Sequence, residues 1–529
     1  MCQAVHPGGE KNVKIHKLLG IIILAWFYFG FALGEGGTLK IALPTDITKL
    51  DPIYIQDAPS STVADLIYDT LVEFDFDGSL RPGLASSWEV SEDATVYTFH
   101  LREGVTFHDG TPFDAHAVKA HFERLLDPAW ASPQRNMYAS LISEIQVPDP
   151  YTVRFVLARP DVAFIESYVI SNATMIASPA AVERYGEKIA LNPVGTGPFI
   201  FEEYQEAEQV VLVRNEDYWA GAPKLEKVIF RPIPELTTRV VELETGGVDL
   251  IFEVPPEELG RLESNPDIVV QRAPYASIRG LWFHQKHFPP FADVRVRRAL
   301  SHALNVEEIF AAFLKGVAII GNSVIPVNSW AYHDPGRYEY DPEKAKALLE
   351  EAGWIDVDGD GVREKDGMEL RFTIMSPDGR YLRDKEICEV AMHQWKAIGV
   401  AATVEVLEWG TWVDRVFAED FDMVFLGWMQ STFEPSKFTD ALVKTGGRAA
   451  LFGYSNPELD QILTQAVTVV DKETRKELYR QAQEIIHRDA VFIPLYNHLG
   501  IAAHTSRLNG YRYSSTRTLD LLQAWLEGG

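Results

Sequence analysis

Between Leu18 and Leu33 the sequence LLGIIILAWFYFGFAL is almost unbrokenly apolar, and no comparable run recurs in the remainder of the 529 residues. Lys11, Lys14 and Lys17 precede it, and Ala32 and Gly34 supply small residues just before Glu35. That order of charge, apolar stretch and small residues is the pattern of an export signal, so residues 1–34 are expected to be a signal peptide. An uncleaved anchor is the alternative, because the run lies between a usual signal core and the roughly 20 residues of a spanning helix. Both readings put the body outside the cytoplasm, in the periplasm or at the cell surface. Cys2 lies before the run, which does not suit a lipoprotein leader, and Cys388 is the only other cysteine. Without a disulfide partner for Cys388, the fold has to rest on its apolar core.

The material for such a core is present. Hydrophobic residues make up 46% and charged residues 24%, which excludes a disordered chain and a polytopic membrane protein. With 76 acidic against 49 basic residues the formal charge is −27, a surface that repels nucleic acid. Leu39, Ile41 and Leu43 alternate, as do Tyr97, Phe99 and Leu101, and Val210 to Val213 is rich in β-branched residues; all three stretches predict strands. In DPEKAKALLEEAG, Asp341 and Pro342 open a helix and Gly353 closes it. Asn456 with Pro457 starts another, and a third begins near Asp471 with Leu478, Ala482, Ile485 and Ile486 on one stripe. The chain is α/β or α+β, and the lack of repeats or low-complexity linkers predicts interwoven domains.

Catalytic patterns are missing. His116 and His121 are spaced five apart, which does not bring both rings to one helix face, and both are read as surface residues. There is no GxSxG elbow and no phosphate loop, and nothing near Cys388 activates a thiol. An enzyme is not expected, an exported hydrolase remaining the distant alternative, and no cofactor or resident metal is called for. In GWIDVDGDGVREKDG the carboxylates of Asp356, Asp358 and Asp360 have a calcium-loop rhythm, but position twelve is Gly367, where a bidentate Glu is expected. A tight turn between a helix and a strand is the preferred reading.

Five motifs occur in order: Leu84 to Val118 (LASSWEVSEDATVYTFHLREGVTFHDGTPFDAHAV), Asn192 to Phe199 (NPVGTGPF), Leu212 to Pro223 (LVRNEDYWAGAP), Asp293 to Asn305 (DVRVRRALSHALN) and YDPEKAKALLEEAGW. Together they resemble the family 5 extracellular solute-binding proteins of ABC importers, the peptide and nickel group. The resemblance implies a two-lobed periplasmic-binding-protein fold with a subdomain inserted in the first lobe. Lobe I would comprise residues 35–66, 188–283 and 498–529, the insertion 67–187, and lobe II 284–497, with hinge crossings near Phe283 and Asn497. It also implies a monomer that closes on a small-molecule or peptide ligand and presents it to a membrane permease.

Ligand residues follow from the same resemblance. Trp409 in LEWGTW and Trp428 in FLGWMQSTFEP stand where peptide-binding members touch their ligand, with Met429 and Phe433 beside the second; Trp282 and Tyr54 are further candidates. Peptide-binding members carry an Asp three residues after the GW tryptophan, where it pairs with the peptide ammonium, whereas this chain has Ser431. Either Glu434 or Glu408 substitutes, or the ligand is not a peptide with a free amino terminus. Nickel-binding members grip a chelator through an arginine, absent from the corresponding stretch Ile170 to Ser178, and their metal-touching histidine falls near Gly447, with Arg448 beside it. A peptide or peptide-like solute is therefore expected, with a chelated metal or an oligosaccharide as alternatives.

Overall fold

A computed structural model describes residues 36–76, 78–447, 452–514 and 519–528. The leader and Arg448 lie outside the described residues. The three stretches predicted as strands are strands, Thr38–Leu43, Val96–Leu101 and Gln209–Arg214. The helix starts are also where local chemistry puts them. Asp341 accepts the Lys344 amide, Asn456 those of Glu458 and Leu459, and Asp471 that of Thr474, each satisfying donors that have no intrahelical partner.

One twelve-stranded mixed sheet organises the chain. Its path runs from Ala401–Leu407 through Arg371–Pro377, Met423–Met429 and Ser277–Phe283 to the long strand Phe492–Thr505. It continues through Leu250–Phe252, Thr38–Leu43, Lys227–Pro232 and Gln209–Arg214 to Phe199–Gln205. Phe492–Thr505 belongs to both halves. Its first part, Phe492 to Tyr496, pairs with Ser277–Phe283, and its second part, Leu499 to Thr505, pairs with Ile268–Pro274. At the change of partner the Asn497 amide donates to the Ser277 carbonyl, while its oxygen accepts the Val327 amide. The pairing change on the other crossing lies between Pro274 and Ser277. Phe283, the crossing expected from sequence, lies at the other end of strand Ser277–Phe283, which pairs with Met423–Met429 and with the Phe492 to Tyr496 part of the shared strand.

The apolar patterning places a core on each half. Phe291, Phe372, Trp395 and Phe425 pack in the second, and Ile41, Leu66, Phe199 and Phe230 in the first. A separate antiparallel sheet in the order Ala85–Val90, Val96–Leu101, Thr152–Leu157 and Ile142–Asp149 carries its own core of Phe99, Phe122, Phe155 and Phe164. His121 belongs to that core and is not a surface residue. Its ring bonds the Ala173 carbonyl at 2.8 Å and accepts the Ala177 amide, and burial holds its pKa down at about 3. The motif NPVGTGPF packs on the end of helix Ala58–Ile67 so closely that a Cβ on Gly195 would stand 2.1 Å from the Ile67 carbonyl oxygen. Glycine is required there by space.

Candidate functional site

A cleft of about 580 Å³ opens between the helix Ala58–Ile67 with the segment that follows it and the turn after strand Met423–Met429. The helix begins at Asp57, whose carboxylate accepts the Ser60 amide, and it presents Ser61, Thr62 and Asp65 to the cleft. Behind them Asp69 is buried and accepts from Thr196 Oγ1 at 2.7 Å, Trp219 Nε1 at 2.9 Å and the Tyr218 hydroxyl at 3.0 Å. Three donors on one carboxylate make Asp69 a fixed strut. Arg81 bridges Glu73 and Asp520 at 2.9 and 3.5 Å on the same wall. The opposite wall is Gln430, Ser431, Thr432 and Lys437.

Carboxyl groups outnumber cations along this lining, yet the wall is less negative than its composition suggests. Burial pushes Asp65 up to about 8. Burial and the neighbouring Asp69 push Glu73 up to about 7. Near neutral pH both therefore hold protons for much of the time.

Of the side chains named from sequence, Ser431 lines this cleft. Trp428 lies against the core, and its indole donates to the Lys437 carbonyl at 3.0 Å. Met429 is exposed at the strand end. Trp409 opens the helix Trp409–Phe417, stacks on Trp412 at 5.0 Å and carries the Arg380 guanidinium 4.9 Å over its ring. Phe433 is buried edge-on to Phe74. Tyr54 donates to the Trp130 carbonyl and packs against the core of the separate antiparallel sheet. Trp282 is fully buried between Phe452 and Phe492, with ring centroids 4.9 and 4.2 Å away, so it is a core residue and not a wall of the site.

Neither proposed substitute for the missing aspartate is free. Glu434 is completely buried and bonded to Arg475 at 2.6 Å. Glu408 caps the helix of Trp409 by accepting the Gly410 and Thr411 amides. The residues that sequence reasoning missed are Asp65, Glu73, Arg81 and Asp520, which converge only through the fold, and Arg279 and Tyr381 beside Trp409. The signal for Arg279 was visible, a single cation in SIRGLWF. In the acidic loop, Asp356, Asp358 and Glu364 bring ligand atoms within 4.8 Å of one another. Their oxygens accept the Gly359, Gly361, Asp360 and Val357 amides, as turn carboxylates do.

A profile described as bacterial extracellular solute-binding proteins, family 5, middle region, matches residues 79–450. The chain belongs to this family. It is 31% identical over 521 residues to the glutathione-binding protein GsiB of Shigella boydii, covering 97% of each chain. Among solved structures, HbpA2 from Haemophilus parasuis superposes with a TM-score of 0.85 at 26% identity, covering 92% of this chain and 99% of that one. The periplasmic binding protein DppA from Helicobacter pylori, in complex with the peptide STSA, is 31% identical with a TM-score of 0.68, covering 94% and 99%. These proteins bind solutes and are not enzymes, and the fold is that of periplasmic binding proteins. Among the described residues no helix is long and apolar enough to cross a membrane.

Proposed function

We propose that this family 5 protein captures a peptide or peptide-like solute between its two halves and delivers it to the permease of an ABC importer. The observation that carries the reading is the cleft, whose lining comes from both halves, with Ser61, Asp65 and Leu521 on one side and Gln430 to Thr432 on the other. A solute touching both walls stabilises the arrangement that holds them together. GsiB, similar over almost the whole chain, is named for glutathione, and DppA, similar over as much, was solved in complex with a peptide. Lobe I is taken as residues 35–66, 188–283 and 498–529, the insertion as 67–187 and lobe II as 284–497, with bending placed where Phe492–Thr505 changes partner. Export on a leader of residues 1–34 belongs to the same reading, and an intact mass beginning at Glu35 tests it.

Ser431 sets the selectivity of the second wall. With Glu434 held by Arg475 and Glu408 used as a cap, no carboxylate there balances a ligand ammonium, and across the cleft burial raises the pKa of Asp65 and of Glu73, the latter also engaged by Arg81. N-acetylation of a bound peptide should therefore change affinity by less than about tenfold, roughly 1.4 kcal/mol, in calorimetric titrations of free and acetylated pairs. Ser431→Asp should create a preference for the free amine. Trp409→Ala should weaken binding by roughly 1–3 kcal/mol without unfolding the protein. Mass spectrometry of solute released on denaturation tests the whole reading, and a carbohydrate or metal chelate there would overturn it.

A further inference from the structure

Arg279 sits in an apolar strand, with Leu281 and Phe283 beyond it on the same side packed in the second core. A cation placed there needs a partner. Its neighbour across the ladder is Gly427, and a Cβ at that glycine would stand 2.4 Å from Arg279 Cδ and Nε. The guanidinium thus lies across a position that only glycine leaves clear. Tyr381 supports it, with Arg279 Cζ 4.8 Å from the ring centre, and the Tyr381 hydroxyl donates to the Gly427 carbonyl at 3.3 Å.

The remaining hydrogen-bond capacity is the informative part. Arg279 Nη1 donates to the Ile278 and Trp428 carbonyls at 2.7 and 3.3 Å, and among the described residues Nε and Nη2 have no acceptor. Arg279 is half-buried, and the fully buried arginines divide: Arg239 likewise spends Nη1 on two carbonyls, those of Ile233 and Pro234, and leaves Nε without a partner, whereas three others are answered. Arg124 has Asp51, Arg475 has Glu434, and Arg297 places all three of its nitrogens on backbone carbonyls. Arg380, the next cation, stands over Trp409, whose ring centre is 6.2 Å from that of Tyr381, and among the described residues it too lacks a carboxylate. Both arginines lie by the C-terminal ends of the parallel strands Arg371–Pro377 and Ala401–Leu407, where open α/β sheets bind ligands. Trp428, whose carbonyl Arg279 holds, leads directly to Ser431 in the cleft.

We propose that Arg279, seated across Gly427 and assisted by Arg380, is the specificity residue that receives a carboxylate of the solute through its free Nε and Nη2 edge. That edge matches a carboxylate bidentately, which a lysine at the same place would not do. The inference rests on the solute-binding reading above and narrows it to peptide-like solutes bound by an acidic end.

The test is titration calorimetry of the full mature chain with glutathione and trialanine, each as the free acid and as the C-terminal amide. The expected result is that amidation weakens binding at least tenfold. Arg279→Gln should weaken the acids at least tenfold and the amides less than twofold, with Arg279→Lys in between. Gly427→Ala keeps the arginine but moves it, and should reproduce Arg279→Gln, with melting curves showing both variants folded. Equal binding of acid and amide, or equal loss of both in Arg279→Gln, overturns the proposal. If neither probe binds, the peptide reading fails separately, and the solute released on denaturation decides the subsite. A released solute with a carboxylate supports it, whereas one without, or an empty preparation, overturns it.

Discussion

Two buried arginine–carboxylate centres, one in each half, are built to different standards. In the first, Arg124 grips both oxygens of Asp51 at 2.9 and 2.7 Å, with Trp130 over the guanidinium. In the second, Arg475 reaches Glu434 Oε1 at 2.6 Å, while Glu434 Oε2 has no partner. Glu166, from the segment that follows strand Thr152–Leu157, stands within electrostatic reach of this second centre, and its own Oε2 is also unpartnered. Trp330 and the cations Lys472 and Arg475 complete its surroundings. The first centre uses both carboxylate oxygens and ties the segment of Asp51 to helix Ala115–Leu126, with Arg124 Nε its one unpartnered atom. The second keeps spare acceptor capacity. Identical chemistry thus gives a fixed contact in one place and a titratable contact in the other.

The sharpest way to break the comparison is Asp51→Ala. It strands a buried guanidinium and should cost about 3–5 kcal/mol in chemical denaturation. Glu434→Gln keeps a hydrogen-bond acceptor but removes the charge, so a smaller loss of about 2 kcal/mol is expected by the same measurement.

Glu166→Gln tests the titratable character itself. Burial, and after it the charge of Glu434, raises the Glu166 carboxyl to about 7, well above its unfolded value. Between those two values the folded chain binds the extra proton, so this contribution to stability is full at low pH and is lost as pH rises to about 7. The wild type should therefore show a falling component across that window, absent from Glu166→Gln, and at pH 8 the variant should be at least as stable. A pH profile unchanged by the substitution would remove the distinction between the two centres. The smallest effect is expected from calcium, which should leave the melting temperature unmoved, because the acidic-loop carboxylates already accept backbone amides.

What the sequence revealed and what it hid divide along the range of the interactions. Asp341, Asn456 and Asp471 announced helix starts because a cap acts within three residues of itself. The ordered motifs gave the fold. Trp282 and His121 were misjudged because an indole suits a core and a ligand wall equally, and because both partners of the His121 ring lie more than fifty residues away. Asp65 and Asp520 are far apart in the chain and share a wall only after the carboxy-terminal segment folds back. Arg279 was legible as an anomaly, but its meaning needed the glycine opposite it and the nitrogens left without acceptors.

The strand Phe492–Thr505 also bears on how such a protein can be taken apart. It is stitched to Ser277–Phe283 at one end and to Ile268–Pro274 at the other, so the first half is completed by chain that returns from beyond the second. A protein divided at residue 284 into two separately expressed fragments would leave Leu250–Phe252, Ile268–Pro274 and Ser277–Phe283 on one polypeptide and the strand itself, with only Ala318–Ile320 still beside it, on the other. Each fragment would emerge from the ribosome with an open sheet edge. Such pieces should reassemble only when made together, which makes the shared strand a natural seam for a complementation reporter.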